Sequence, residues 1–452
     1  ILPEAPNRLK RLNQFMESLD NDTQYIANLG PRIKVLFPKD VDAADHDTGK
    51  RFEASADVPY NVVELGKKSK GLITTQSRVR LLFDVDAFKK LILMAVKGYD
   101  GEVERVLKFD LEVMGCKIVP EGNAAYLLSG GNRNSVNGIL KDAAGNFEFN
   151  KRYNGGNLRQ QAHALSNDVI KAITGRNGIA QTRILYKMKT GARAYEVFVS
   201  DYDGHRPVAL TSDNTLTESP LWAPGNGEVF YTSWMKIGGV ENTTVIRHKM
   251  KTGKRTVFSR FKGLNTGGAV SPQGEVAMVL SRGKNPDIWV APAGWNFEMD
   301  KQGKQLKQMC RTKEAESGPA WSPDGKWLCF ATRANGRRML VKVAAAGGNM
   351  IKIPTPGAIN PTDPAWSPDG KSIAFTSQAG KFFNIFVVPV KGGKAELITA
   401  GEGPSWAQNN RNLIFTRRGV NKRMLAIVDV PTKQVKMLPA FPGSASQPDW
   451  QK

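Results

Sequence analysis

Short apolar runs alternate with polar turns along most of the chain, and the pattern recurs with a long period. Two segments are near copies, Gly318–Lys326 and Asp363–Lys371, which share the string Pro-Ala-Trp-Ser-Pro-Asp-Gly-Lys. Weaker copies and a last fragment follow the same phase. Each copy has an apolar residue, here called the anchor, at the end of its first apolar run: Trp222, Val270, Trp321, Trp366, Trp406 and Trp450. The anchors lie roughly 40 to 50 residues apart, which is typical of a four-stranded β-propeller blade.

Each repeat has the same internal order. A short apolar strand ends at the anchor, and the Ser-Pro-Asp-Gly string follows as a turn, because Pro presets φ and Asp and Gly tolerate the reversal. A strand that is apolar on both faces comes next, such as Trp327–Phe330, and then a third strand such as Ile385–Val388. Gly-rich turns lead to a polar outer strand. The pattern predicts blades arranged in a ring, with few exposed sheet edges.

The first and last repeats are each incomplete. The segment from Thr182 to Thr211 contains three strands but no anchor-bearing inner strand before them, whereas Gln447–Trp450 is an inner strand with no blade after it. We predict that the last strand completes the first sheet beside Ile184, which closes a ring of six blades.

The residues before the ring mix strand and helix patterns. Strands are predicted at 79–83, 91–96, 126–128, 136–141 and 147–152, and helices at 102–114 and 157–173. The predicted fold is therefore mainly β, a six-bladed β-propeller preceded by a small α/β domain. The predicted domains are an extension of uncertain fold at 1–78, the α/β domain at 79–177 and the propeller at 178–452. Within the extension we expect a helix from near Pro6 and an acidic loop at 40–57.

Charge and composition narrow the class of partner. The net charge is +22, and almost all of the excess lies after residue 78. Such a surface favours an anionic membrane surface, an acidic protein or nucleic acid. The longest apolar run, Leu91–Val96, is too short to span a membrane. The chain begins with Ile1, which suggests a processed product, and Cys116, Cys310 and Cys329 are expected to be buried free thiols.

Catalytic and ligand-binding patterns are weak. The sequence contains no Gly-x-Ser-x-Gly elbow, and its four His are scattered, so a Ser-His-Asp set has no local support. Asp324 and Asp369 are interpreted as turn caps rather than catalytic acids, and His163 as a residue packed at the domain interface. The acidic cluster around His46 fails the spacing of a calcium loop. Binding to nucleic acid rests on charge alone. No catalytic residue, metal or cofactor is predicted, and nucleic acid is not expected as a partner.

Three strings at the start of the ring resemble a known family. His163–Gly175, Thr182–Tyr186 and Tyr195–Gly204 are similar to the domain junction and first blade of the TolB family, and the resemblance covers about 79–452. Two features depart from the family: the 78 residues ahead of Val79 and the strongly basic balance.

The resemblance implies a non-enzymatic, monomeric binding protein in the periplasm of a Gram-negative bacterium. It implies a role in a Tol–Pal system, which maintains the outer membrane and constricts it during division. The implied partners are the peptidoglycan-associated lipoprotein (Pal) on the propeller and a TolA-like protein at the N-terminal region. The alternative is an envelope propeller that binds glycans or solutes, or hydrolyses them.

The resemblance also implies where the partner binds. In the family, the contacts cluster at the propeller mouth just before the inner strands. Carried over by the phase of the repeats, these positions are Thr217, Glu218, Leu264, Asn265, Gly267, Ser317, Gly318, Thr362, Asp363 and Gln447.

Overall fold

The computed structural model describes strands Ile33–Leu36, Arg51–Asp57 and Arg78–Asp84, and residues 90–452 except 284, 311 and 440. The chain forms two compact units, Ile1–Leu91 and Ile92–Lys452, which are described separately. The helix expected from near Pro6 and the cluster around His46 lie outside the described residues.

The first unit contains one antiparallel sheet. Its strands are β1 (Ile33–Leu36), β2 (Arg51–Asp57) and β3 (Arg78–Asp84), in the order β1-β2-β3. The acidic loop expected at 40–57 is thus wrong for its last residues, because β2 pairs along its whole length with β3. The prediction also assigned residues 79–83 to the α/β domain, whereas the structure pairs them with β2, so the first unit extends to Leu91.

The second unit begins with a five-stranded mixed sheet and two helices. The elements are β4 (Ile92–Lys97), α1 (Gly101–Val113), β5 (Cys116–Ile118), β6 (Tyr126–Gly131), β7 (Asn137–Asp142), β8 (Phe147–Arg152) and α2 (Leu158–Thr174), with a 3-10 turn at Glu121–Asn123. The strand order is β5-β4-β6-β7-β8. β4 runs parallel to both of its neighbours, β5 and β6, whereas the other two pairs are antiparallel. Both helices lie within one residue of the predicted bounds.

Local sequence explains where the helices begin and end. Asn157 and Gln160 form a reciprocal capping box at the start of α2, and Gly175 ends it in the left-handed conformation at φ 70°. In α1 the buried side chains recur at helical spacing, as Val103, Val106, Leu107 and Leu111. These apolar faces bury the helices against the sheet and the propeller.

Six four-stranded antiparallel sheets follow, and their order confirms the propeller. Blade one contains β9 (Arg183–Lys189), β10 (Tyr195–Asp201), β11 (Val208–Ala209) and the last strand, β32 (Ala445–Trp450). Blade two contains β12 (Thr217–Trp222), β13 (Glu228–Ile237), β14 (Val240–Lys249) and β15 (Arg255–Ser259). Blade three contains β16 (Asn265–Val270), β17 (Val276–Leu280), β18 (Asp287–Ala291) and β19 (Lys307–Gln308).

The other three blades repeat the same order from inner to outer strand. Blade four contains β20 (Ser317–Trp321), β21 (Trp327–Ala334), β22 (Arg337–Ala344) and β23 (Ile351–Ile353). Blade five contains β24 (Pro361–Trp366), β25 (Ser372–Ala379), β26 (Phe382–Pro389) and β27 (Glu396–Ala400). Blade six contains β28 (Glu402–Trp406), β29 (Asn412–Arg418), β30 (Arg423–Asp429) and β31 (Gln434–Met437).

The last strand closes the ring as predicted. β32 pairs antiparallel with β9, and Trp450 lies opposite Ile184. The Trp450 ring is fully buried, its indole Nε1 donates to Thr182 Oγ1 at 2.8 Å, and it stacks near Tyr202. The closure therefore joins the two ends of the propeller through both backbone pairing and side-chain packing.

The repeated turns and the cysteines also match their predictions. Asp324 Oδ1 accepts from the backbone N–H of Lys326 at 3.0 Å, and Asp369 Oδ1 accepts from that of Lys371 at 3.0 Å. Both carboxylates thus cap turns. The three cysteines are buried and free. Among the described residues, no helix is long and apolar enough to cross a bilayer.

Candidate binding channel

A polar channel lies on the propeller axis, where the six inner strands meet. Its volume is about 570 Å³, and every inner strand contributes to its wall. We call the end at which the inner strands begin the mouth. The fold defines this channel directly, because the inner strands of all six blades contribute to its wall in the same way.

Each inner strand has one extra residue at the same place. In blade two, Glu218 pairs with Thr232 and Leu221 with Phe230, so two residues oppose one across the gap. The same shift occurs at the corresponding place in the other five blades. Five of the six bulges contain Pro, which has no N–H to donate to the ladder.

The residue before that Pro adopts a positive φ in all five of these blades. The residues are Ser219 (52°), Gly318 (60°), Asp363 (48°), Gly403 (63°) and Gln447 (52°). This conformation is uncommon outside glycine, and residues held in it concentrate at functional positions. All five line the channel.

The structure brings together half of the residues predicted to bind the partner. Glu218, Gly267, Gly318, Asp363 and Gln447 all line the channel. The other five lie outside its wall: Thr217, Asn265 and Thr362 are buried, Leu264 is half-buried and Ser317 is exposed. Thr217 Oγ1 donates to the Tyr195 carbonyl, and Asn265 bonds to Ser259 and Phe261. These hydrogen bonds join Thr217 and Asn265 each to the preceding blade.

The charges in the channel are paired, with one exception. Glu218 accepts from Lys187 at 3.0 Å, and Glu402 pairs with Arg418 at 2.9 Å and Arg423 at 3.2 Å. Asp363 forms no ion pair with any residue that the structure describes. The surrounding blades desolvate its carboxylate, which raises its pKa, and hydrogen bonds from Thr376 and Thr362 oppose that rise. Asp363 is thus the channel carboxylate best placed to receive a cationic group.

Five other charged residues of the channel were missed by the sequence prediction: Lys187, Glu402, Arg423, Asp449 and Lys452. Glu402 occupies the same place in the repeat as Glu218, so the phase of the repeats contained the signal for it. Lys187 and Arg423 come from β9 and β30, outside the inner strands, and only the assembled ring shows that they reach the channel.

A buried pair of carboxyl groups lies near the mouth between blades three and four. Thr312 donates to Glu316 Oε1 at 2.5 Å, and Gln308 donates to Asp287 Oδ2 at 2.9 Å. The remaining oxygens, Glu316 Oε2 and Asp287 Oδ1, have no donor among the described residues. Burial raises the pKa of Glu316, and the adjacent Asp287 raises it further against the Thr312 hydrogen bond, so the pKa reaches about 7. We infer that Glu316 keeps a proton near neutral pH and shares it with Asp287, which would satisfy both oxygens.

Replacing Glu316 with Gln should change how stability depends on pH. Because the pKa of Glu316 rises on folding, its contribution is most favourable below pH 4.5 and is lost as the pH rises toward 7. We expect E316Q to be more stable than the parent at pH 8 by about 2 to 3 kcal/mol, and nearly equal to it at pH 4. Urea unfolding at several pH values measures this. E241Q, in an exposed hairpin, serves as the control, and a parallel pH dependence of E316Q and the parent would contradict the shared proton.

Metal binding receives no support from the described part of the chain, in which no cluster of three or more His, Cys, Asp or Glu is placed to hold an ion. His163 lies at the domain interface as interpreted, where its Nδ1 is 2.8 Å from Asp110 Oδ2 and it is almost fully buried.

Fold and site together define a protein class: a six-bladed β-propeller with a polar axial channel, joined to a small mixed α/β domain. Comparison with known proteins agrees. The PD40 family, described as the TolB beta propeller domain, matches residues 170–452. The chain belongs to the TolB family.

Curated relatives cover part of the chain. The Tol-Pal system proteins TolB of Legionella pneumophila strains Corby and Paris are each 30% identical to it over 177 residues. That alignment spans 38% of this chain and 41% of each relative, so the chain matches less than half the length of these proteins.

Solved structures show the fold. The crystal structure of TolB from Acinetobacter baumannii superposes with a TM-score of 0.70 at 21% identity, covering 80% of this chain and 96% of that one. Hydrazine synthase of Kuenenia stuttgartiensis superposes with a TM-score of 0.50 at 11% identity, covering 61% of this chain and 47% of that one. The fold alone therefore occurs in an enzyme as well.

Proposed function

We propose that the protein is a non-enzymatic binding scaffold of a Tol–Pal-type system, which supports outer-membrane integrity and constriction during division. The observation that carries the proposal is the convergence of Glu218, Gly267, Gly318, Asp363 and Gln447 on one channel. The names of the Legionella pneumophila relatives support the system. The proposed location is the periplasm, and the proposed state is a monomer.

The proposed partner at the mouth is a peptidoglycan-associated lipoprotein. Small residues at Gly267, Gly318 and Gly403 leave room for a backbone to approach the wall closely. Asp363 then receives a basic group of the partner. Gln447, in the inner strand of blade one, offers an amide whose Oε1 already accepts from the backbone N–H of Ser219 at 2.9 Å. A preformed channel of this kind binds without reorganisation, which favours affinity.

A binding role fits the chemistry of the channel better than a catalytic one. Glu218 and Glu402 are held in ion pairs. Asp449 accepts from the Trp222 backbone N–H at 2.8 Å and from Ser405 Oγ at 2.8 Å. These carboxylates are engaged in holding the blades together, so they are poorly placed to act as general acid or base.

A TolA-like protein is the second proposed partner, through the N-terminal region. The first 89 residues are described only as strands β1 to β3, so this proposal lies outside the described residues. Its test is a binding measurement with and without residues 1–78.

Removing the charge of Asp363 should weaken capture of the lipoprotein. Asn tolerates the positive φ at this position and keeps the shape of Asp, so D363N removes the charge with little strain. We expect the dissociation constant for the periplasmic domain of the organism's own Pal to rise about tenfold or more, because the ion pair between Asp363 and the partner is lost. Isothermal titration calorimetry measures it.

The matched control is E298Q, which neutralises an exposed carboxylate outside the channel. It should bind Pal as the parent does, and both variants should keep the melting temperature of the parent within a few degrees. Equal affinity of D363N and parent would count against the channel as the docking site. Binding of an oligosaccharide, or its turnover, in place of Pal would support the alternative of a glycan-binding or hydrolytic propeller.

A further inference from the structure

Three neighbouring hairpins of blades four to six form a surface of one charge sign. The hairpins at 333–338, 378–383 and 417–423, here called the basic arc, contain three Arg, one Lys, and three Arg with one Lys, respectively. None of the three segments contains a carboxylate. These eight cations are part of the large positive charge of the chain, which the proposed function leaves unexplained.

The blade topology places the whole arc at the mouth end. In each blade the first three strands are antiparallel neighbours, so the hairpin between the second and third strands returns to the end at which the inner strand begins. Two hairpins are tight, because Ala334 pairs with Arg337 and Ala379 pairs with Phe382 across two-residue turns. The tips of all three hairpins therefore lie at the mouth end of the propeller.

Most of the cations of the arc have no counter-charge. Arg418 and Arg423 pair with Glu402. Arg333, Arg337, Lys381, Arg417 and Lys422 make no salt bridge with any residue described in the structure. Arg338 makes none either, but its charge acts on the Asp363 carboxylate and lowers the pKa of that group. Arg333, Arg337 and Lys422 are exposed. Unpaired cations on one face attract an anionic surface from a distance of about one Debye length.

Apolar side chains project from the same tips. Val420 is 100% exposed and Phe382 is 65% exposed, each beside a cation of its hairpin. Ile359, which is 58% exposed, lies in the loop that leads into the inner strand of blade five at the same end. Exposing a large apolar side chain to water is unfavourable, so several such side chains on one face indicate a binding surface.

We propose that the basic arc binds the surface of an anionic lipid bilayer, with Val420 and Phe382 entering the headgroup region. The cations contact lipid phosphates, and the isolated apolar tips insert between headgroups. The arc residues named here, other than Arg423, lie outside the channel wall, although the arc and the channel share the mouth end of the propeller.

The distribution of side chains favours a bilayer over an acidic protein. The centre of a protein interface is a contiguous apolar patch, enriched in aromatic residues and Arg and depleted in Lys and acidic residues. In the arc the apolar residues are instead on separate hairpins, each surrounded by cations. A lipid headgroup layer can bind such a surface, because the phosphates contact the cations and the acyl chains just below them contact the apolar side chains.

Vesicle sedimentation with the full chain tests the proposal. We expect the protein to sediment with vesicles of phosphatidylcholine and phosphatidylglycerol, to remain in solution with phosphatidylcholine alone, and to be released by salt. The triple variant R333E/R337E/K422E should bind the anionic vesicles about a hundredfold more weakly, because three attractive charges become repulsive.

A charge-matched control separates the arc from the overall charge. K251E/K371E/K391E makes the same change in net charge at exposed Lys in turns on the opposite end of the blades. This variant should keep most of the vesicle affinity of the parent. Equal loss in both triple variants would overturn the arc as a site and indicate attraction by net charge alone.

Insertion of the apolar tips has its own readout. Tryptophan emission of V420W should shift to shorter wavelength on anionic vesicles, and F382S/V420S should bind several-fold more weakly. No sedimentation of the parent with phosphatidylglycerol vesicles would overturn the proposal and favour an acidic protein as the occupant. Pal binding measured on R333E/R337E/K422E distinguishes this failure from a failure of the channel, because the channel wall is intact in that variant.

Discussion

Replacing Trp450 with alanine should lower the free energy of unfolding by about 4 kcal/mol, the size typical of a fully buried Trp. Its ring is completely enclosed between the first blade and the domain interface. The change removes the hydrogen bond to Thr182 and the stacking on Tyr202, and it leaves a cavity at the strand that closes the ring. Urea unfolding followed by circular dichroism measures the loss.

Trp234 provides a control of the same residue type. It lies on the β13 strand and is 41% exposed, so W234A should cost less than about 1 kcal/mol. Deleting residues 445–452 should be more severe than W450A, because it also leaves the β9 edge unpaired. If W450A and W234A have equal stability, the last strand does not hold the propeller closed.

Replacing Asp110 with alanine should cost about 3 to 5 kcal/mol, as breaking a buried polar network usually does. Asp110 on α1 is fully buried, and it accepts from Tyr202 Oη at 2.5 Å and contacts His163 Nδ1 at 2.8 Å. The carboxylate thus ties both helices to the first blade. Its loss leaves His163 and Tyr202 buried without their partner. The control is E104A on the same helix, whose exposed pair with Lys108 should contribute less than about 0.5 kcal/mol.

The same variant should change the titration of His163. Burial lowers the pKa of His163, but the hydrogen bond and charge of Asp110, with the charge of Asp203, raise it above 6.5 overall. The resulting stabilisation is present below pH 6.5 and is lost as the pH rises through the folded-state pKa. In D110A, the free energy of unfolding should no longer fall as the pH rises through the pKa of His163. NMR titration of His163 measures the pKa, and an unchanged value in D110A would refute the assigned pairing.

Much of the fold follows from patterns that are local in sequence. The Trp-Ser-Pro-Asp-Gly strings predicted the period, and the incomplete first and last repeats predicted that β32 would complete blade one. Helical spacing with Gly115 and Gly175 predicted α1 and α2 to within a residue. The assignment of residues 79–83 to the α/β domain was wrong. These residues belong to β3, and the sequence of a single strand does not indicate with which sheet it pairs.

The channel was predicted only in part. The phase of the repeats placed ten residues near the mouth, yet Thr217 and Thr362 are buried while Glu218 and Asp363 face the channel. Phase identifies equivalent positions, but it does not say to which side of a strand each side chain points.

The sequence by itself determined the number of blades, the closing strand, the helices and the capped turns, because each depends on contacts between residues near in sequence or on a repeated string. The tertiary structure decided which side chains enter the channel, since one extra residue in each inner strand shifts the two-residue alternation between faces. It also decided which charges are neutralised. Glu402 pairs with Arg418 and Arg423, whereas Arg333 and Lys422 have no carboxylate within reach among the described residues, and that difference arises only when blades meet.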